Sequence, residues 1–376
     1  MAKPTRKVLA VAGLASVALL AAACGSSGGS GSSSSSPAAM VGPALPEKPP
    51  SSNISFTETG STLLFPLVSA WATDYQKKYT NVTITTGGTG SGTGLADAAN
   101  GTVDVGASDA YLSPSAKQQT PTLENIALAI SSQQVNYNLP GVKNLKLDAK
   151  TLAQIYQGKI TKWNDPAIKS LNPGVSLPSM KIVVLHRADS SGDTFLFTSF
   201  LNAQDPSDWS SSNVGTTVTW PSVPGELGEQ GNGGMVEGCG ATKGCIAYIG
   251  ISYLAKTQAA GLGQASLKNA AGKFVQPTPA SIKAAAAPFA GKTPASTTLS
   301  MINGPAPTGY PIINYEYAIV NTKQSDGTKA EAIRAFLHWA LHSGQDSKTY
   351  LDPVDFQPLP SSVVSQSDAL VGKIGA

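Results

Sequence analysis

The sequence predicts an α/β protein, with helices layered over mainly parallel sheets. Short β-branched runs alternate with helix-period segments along most of the chain. Glycine (38) and proline (26) are plentiful, which favours many turns over long bundles. Four polar loops, 59–64, 88–94, 108–109 and 187–193, follow strand-like segments, and three lead directly into helix starts. In open α/β sheets, ligands bind beyond the carboxyl ends of strands, where such loops lie.

Each element has its own local reason. Residues 54–56 read as a first strand. Pro66 suits a first helical position, and Val68, Trp71, Ala72 and Tyr75 then fall on one helical face. Residues 81–86 alternate and are β-branched, which predicts a strand. It runs into the glycine-rich stretch 87–94 and a short helix over about 95–99. A strand over 103–107 ends at Ser108-Asp109, and 126–130 and 134–137 are apolar and extended. Residues 152–156 read as helix, 181–185 as a buried strand, 216–220 as an alternating segment and 246–251 as a strand. An alanine-rich helix over 281–290, a long strand over 312–320 and an amphipathic helix over 329–342 complete the chain.

At 376 residues there is room for two ordinary domains, and 41% apolar against 13% charged residues imply well-filled cores. Lys3, Arg6 and Lys7 account for the net charge of +3, leaving 23 basic against 23 acidic residues. A neutral body without a basic block argues against nucleic acid as a partner. It also means that an anion site must work through local dipoles.

Residues 1–23 read as a secretory signal: a basic start, an apolar run over 8–20 and small residues over 21–23. Cys24 directly after them resembles a bacterial lipobox, in which the thiol is acylated and becomes the mature N-terminus. Leu20 sits one place further from the cysteine than that pattern has it, and a plain cleaved signal with an incidental cysteine is the other reading. The Gly/Ser- and Pro-rich residues 24–53 read as a flexible tether. In an oxidising compartment Cys239 and Cys245, which flank a short glycine-containing loop, read as a disulfide.

Residues 186–195, H-R-A-D-S-S-G-D-T-F, hold the densest chemistry. Ser191 or Asp193 suits the N-cap of a helix starting near Thr194, and helix N-termini are natural anion seats. Arg187 can add a planar clamp for an oxyanion. Carboxylates around an anion repel it unless it carries a proton that they can accept. That favours phosphate, which keeps a proton near neutral pH, over sulfate, which keeps none. Taken alone the stretch also reads as a polar turn with Arg187 paired to Asp189. The run G-T-G-S-G-T-G (88–94) lacks the ending of a P-loop and the spacing of a dinucleotide fingerprint, and reads as an anion-cradling loop with Ser91 donating. His186 lies near Asp189 and Ser191, but residues so close in sequence rarely form a triad, and no serine sits in G-x-S-x-G. His338 and His342 are spaced to share a helix face. No carboxylate completes a metal set in an obvious way, so they read as helix surface or packing.

With these residues laid out, the chain resembles the PstS family of phosphate-binding lipoproteins of bacterial phosphate-specific ABC transport, above all its mycobacterial-type members. The likeness rests on T-G-S-T-L-L-F-P, G-T-G-S-G-T-G, V-G-A-S-D-A-Y-L, Q-Q-V-N-Y-N-L-P-G-V, H-R-A-D-S-S-G-D-T-F-L-F, G-N-G-G-M-V, C-I-A-Y-I-G-I-S and G-Y-P-I-I-N-Y-E-Y-A-I-V, and covers nearly everything after the tether.

The resemblance implies a two-domain, hinged periplasmic-binding-protein fold of type II that closes on one inorganic phosphate in the interdomain cleft. One domain would combine 54–130 with 313–376, and the other would be 131–312. Ser61, Thr62 and the Leu63 amide would bind phosphate from the first helix start and Ser91 from the glycine loop. Asp109 would accept a phosphate proton. Arg187, oriented by Asp189, would clamp the ion, with Ser191 and the Gly192 amide beside it. Asp193, where the broader family often has threonine, fits the mycobacterial-type subgroup and would be a second, less direct acceptor. The implied partners are permease subunits of an ABC importer, with the chain held by a lipid on Cys24 at the outer face of the cell membrane. No cofactor, metal or catalysis is expected. The rivals are a receptor for another oxyanion, a secreted phosphatase or serine hydrolase, and an adhesive surface protein.

Overall fold

The computed structural model describes residues 45–376, which form one compact unit. The signal, Cys24 and most of the tether lie outside the described residues. The elements that place the site are β1 (Ile54–Gly60), α1 (Phe65–Lys78), β2 (Val82–Gly88), α2 (Ser91–Asn100), β3 (Val105–Ser108) and β4 (Leu123–Tyr137). They continue with β5 (Val183–Arg187), α3 (Gly192–Gln204), β6 (Leu227–Glu229), α4 (Gly231–Ala241), β7 (Cys245–Gly250), β8 (Ile313–Asn321), α5 (Gly327–Leu341) and α6 (Ser361–Val371).

These strands form one nine-stranded sheet in the order β2-β1-β3-β8-β4-β7-β5-β6, with the short strand Gly263–Gln264 also on β4. Its flanks are parallel: β1 pairs with β2 and β3, and β5 with β6 and β7. The centre is not. β8 runs antiparallel to both β3 and β4, and β4 runs antiparallel to β7. The expectation of mainly parallel sheets therefore holds for each flank and fails at the middle, where the chain crosses between halves. β4 makes that crossing. Its residues up to Ser132 pair with β8, and Gln133–Tyr137 pair with β7. The two extended runs expected over 126–137 are thus one strand, buried at every position but Glu124.

The hydrophobic core is continuous, with an aromatic cluster in each half. Phe56, Trp71, Tyr75 and Phe336 fill one, with Tyr75 edge-on to Phe336 at 5.2 Å between ring centroids. Tyr156, Phe197 and Tyr248 fill the other, Phe197 stacking on Tyr248 at 4.7 Å. Burial of such large rings is the main driving force for each half.

The sequence places α1, β2, β7, β8 and α5 well, and it finds the start of β1 but ends it at 56, four residues short of Gly60. It starts α2 too late. The helix begins at Ser91, because Gly92 N–H donates to the Ser190 carbonyl (3.0 Å) and Gly94 N–H to the Gly90 carbonyl (3.1 Å), fixing the glycines in a first turn. Residues 216–220 form no strand: the Thr216 carbonyl accepts from Ser191 N–H (2.8 Å) and Trp220 stacks on His186 at 5.2 Å. The alanine-rich helix ends at Ala286 and continues as a 3-10 turn over Ala287–Phe289. Cys239, at the end of α4, and Cys245, at the start of β7, are disulfide-bonded as expected. Among the described residues, no helix is long and apolar enough to cross a membrane.

Candidate functional site

Parallel pairing aligns the carboxyl ends of β1, β2 and β3, with Gly60 opposite Gly88 and Ala107. The loops that follow bring the starts of α1 and α2 beside Ser108-Asp109. On the other half, β5 delivers Arg187 and the start of α3 to the same place. The three helix starts expected from sequence meet at Asp109.

Ser61 closes the turn that leads into α1, its Oγ accepting from Leu64 N–H at 2.9 Å while its hydroxyl donates to Asp109 Oδ1. The Ser91 hydroxyl contacts Asp109 Oδ2 at 3.3 Å and accepts from Asp109 N–H at 3.2 Å. Ser191, one of the two expected caps, is the cap used: its Oγ accepts from Thr194 N–H at 3.4 Å, so α3 begins at Gly192. Gly192 lies so close to Asp109 that a Cβ there would stand 2.4 Å from Oδ2 and 2.6 Å from Ser91 Oγ. Gly90 is similarly tight. Its φ of 101° suits glycine, and a Cβ would stand 2.7 Å from Asp189 Oδ2.

The donors here are mostly unspent. Among the described residues, the amides of Thr62, Leu63, Ser91, Gly192 and Asp193 donate to no protein acceptor. These are the orphan N–H groups of helix starts, where the backbone dipoles leave partial positive charge.

Arg187 is buried, its side chain 1% exposed. Nε donates to Asp189 Oδ1 at 2.7 Å, Nη2 to Asp189 Oδ2, and Nη1 to Asp193 Oδ2 at 3.0 Å. A guanidinium has five N–H groups, so one remains on each terminal nitrogen. Asp193 is fully engaged: Oδ2 also accepts from Asn232 Nδ2 at 2.7 Å, and Oδ1 from Gln133 Nε2 at 3.1 Å. Burial pushes the Asp193 carboxyl up, with Arg187 pulling against it. Burial also opposes ionisation of Asp189, but the Arg187 hydrogen bond and charge outweigh it and hold that carboxyl below its ordinary value.

Asp109 is 2% exposed. Burial and then the charge of Asp193 raise its carboxyl above the ordinary range, against the hydrogen bonds from Glu316 and Ser61. Glu316 on β8 is fully buried and its carboxyl is pushed well above its ordinary value, first by burial and then by the Asp109 charge. Glu316 Oε1 accepts from the Ser131 hydroxyl (2.5 Å) and Asn314 Nδ2 (2.9 Å), while Oε2 finds no donor. Burial and the Asp109 charge both favour the protonated form of Glu316.

Sequence reasoning missed Glu316, Asn232 and Gln133. Asn232 ties the halves together: its N–H and Nδ2 donate to Thr62 Oγ1 at 3.2 and 3.0 Å. Glu316 had a signal, an acid inside the apolar run I-I-N-Y-E-Y-A-I-V. Asn232 and Gln133 had none beyond their place in quoted motifs.

Two α/β halves joined by a crossing strand, with helix N-termini and an arginine converging between them, define a periplasmic-binding-protein type of receptor. A family model for the PBP superfamily domain matches residues 45–343. The phosphate-binding protein PstS of Haemophilus influenzae is 35% identical over 314 residues, covering 83% of this chain and 90% of its own. PstS 2 of Mycobacterium tuberculosis is 30% identical over 328 residues, covering 84% and 86%. The crystal structure of a phosphate binding protein from Stenotrophomonas maltophilia superposes with a TM-score of 0.64 at 22% identity, covering 84% of this chain and 93% of that one. The chain belongs to the PstS phosphate-binding protein family, with the two-domain fold of periplasmic binding proteins. It is a family of binding proteins rather than enzymes.

Proposed function

We propose that this protein is an extracytoplasmic receptor that captures inorganic phosphate between its domains and hands it to the permease subunits of an ABC importer. The observation that carries this reading is the set of unspent donors around Asp109. Among the described residues the amides of Thr62, Leu63, Ser91, Gly192 and Asp193 donate to no protein acceptor, and Arg187 keeps two free N–H groups. The Ser61, Thr62, Ser91 and Ser191 hydroxyls complete the lining. Desolvated donors reward any tetrahedral oxyanion. Asp109 adds the discrimination, because it accepts from a protonated phosphate oxygen and repels an unprotonated sulfate oxygen. Asp189 and Asp193 hold Arg187 in place. Asp193 acts mainly through that arginine, since protein donors already occupy both its oxygens.

In this reading one domain combines 54–130 with 313–376 and the other is 131–312. Ser61, Thr62, Leu63, Ser91 and Asp109 then face Arg187 and the start of α3 across the cleft, and the ion bridges them. Binding that needs both sides favours the form in which they meet. Cys24 carries the lipid anchor and residues 24–53 the tether. The serine–glycine–aspartate sequence at 191–193 supports a mycobacterial-type member.

The test is a calorimetric titration of the chain from Leu45 on, with phosphate and then sulfate at neutral pH. One tight site for phosphate and none for sulfate is expected. Equal binding of both would remove the role given to Asp109, and binding of neither would remove the receptor reading.

A further inference from the structure

The end of α5 carries a cluster that phosphate capture does not use. The chain has three histidines, and two of them, His338 and His342, lie one turn apart there. The structure supplies the carboxylate that sequence left missing. Asp368 on α6 sits between them, with Oδ1 2.9 Å from His338 Nδ1 and Oδ2 2.9 Å from His342 Nε2. One ligand atom from each of the three lies within 4.8 Å of the other two.

We propose that His338, His342 and Asp368 form a binding site for a divalent transition-metal ion of the zinc or nickel class, completed by water. Two imidazoles and one carboxylate suit such ions, whereas calcium and magnesium take all-oxygen sets. Metal–ligand bonds of about 2.0–2.2 Å in tetrahedral geometry put ligand atoms roughly 3.4 Å apart. Small side-chain rotations reach that from the present spacing. The local field favours a cation. α5 ends at Leu341 and α6 at Val371, so the negative ends of both helix dipoles lie near the cluster. Among the described residues, Asp368 pairs with no lysine or arginine that would compete for it. Access is open as well: the three side chains are 24%, 47% and 23% exposed. A bound ion would cross-link α5 to α6, which is tied to β4 through the Ser367 hydroxyl and the Ala127 carbonyl at 2.8 Å.

The experiment is a zinc titration by calorimetry on chelator-treated chain from Leu45 on, repeated with cobalt(II) followed by its visible absorption. One equivalent is expected, with a higher melting temperature in the presence of zinc. His342→Ala and Asp368→Asn should each weaken binding at least tenfold and abolish that melting shift, with phosphate titrations unchanged. His342 is half exposed, so its loss leaves folding intact, and circular dichroism checks this. Absence of a stoichiometric site, or one that survives both substitutions, would overturn the proposal and leave a hydrogen-bonded clamp between two helices.

Discussion

Asp109→Asn isolates the selectivity argument. The Asp109 carboxylate takes hydrogen bonds from Ser61 and Ser91, is packed closely by Gly192 and is 2% exposed, so a group facing it is largely desolvated. A protonated phosphate oxygen donates to it. A sulfate oxygen cannot, and two buried acceptors then face each other. An unmet buried polar group costs about 1–3 kcal/mol, more when charged, so two cost roughly 3–5 kcal/mol. At 1.4 kcal/mol per decade, that is about a hundredfold to several-thousandfold of discrimination. Asparagine keeps the shape and presents an amide donor. Phosphate loses its acceptor and should bind about ten- to a hundredfold more weakly, while sulfate gains a hydrogen bond and becomes measurable. Competition calorimetry at neutral pH reads both arms. A variant that excludes sulfate as strictly as the parent chain would show that something other than Asp109 discriminates.

Glu316→Gln should hold phosphate affinity within about threefold, because the amide can donate to Asp109 as a protonated acid would, whereas Glu316→Leu should lose about tenfold or more; equal losses in calorimetry would dismiss a proton on Glu316. Gly192→Ala pushes a methyl into Asp109 and Ser91 across the cleft and should cost about ten- to a hundredfold in phosphate affinity, with little change in melting temperature. Glu58 gives a pH dependence. Burial pushes its carboxyl from 4.5 to about 8, so its contribution to stability is complete below pH 4.5 and is lost as pH rises toward 8. Urea denaturation across that window should show Glu58→Gln flattening the decline by up to roughly 4 kcal/mol, and parallel curves for the two proteins would rule the effect out.

What the sequence made legible was local chemistry, and what it hid was pairing at long range. Pro66 with its apolar face, and Ser191 ahead of Thr194, are written within one or two turns of chain, so α1 and α3 could be placed in advance. The start of α2 could not, because Ser190, a hundred positions away, holds its first turn. The antiparallel centre was hidden for the same reason: Tyr315 on β8 lies opposite Ile130 on β4, and neither strand's pattern states its partner. Asp193 entered as a second, less direct proton acceptor through the family resemblance alone. Its hydrogen bonds to Gln133 and Asn232 depend on β4 and α4, which only the fold brings to it.

The charge balance explains why so many donors are needed. Arg187 is the only cation of the cluster that meets at Asp109, and Asp189 and Asp193 already outweigh it. Asp109 adds further negative charge whenever it ionises, and burial beside Asp109 disfavours ionisation of Glu316. An anion entering this site gains little from net charge. It gains from amide and hydroxyl dipoles that are already oriented by helix starts and cost no rearrangement. This arrangement also suits a chain whose 23 acids match its basic residues beyond the leader, since no long-range field has to gather the ligand. Arg187 then contributes direction more than charge. Three of its N–H groups are fixed by two aspartates, so the orientation of the guanidinium is set before any ligand arrives.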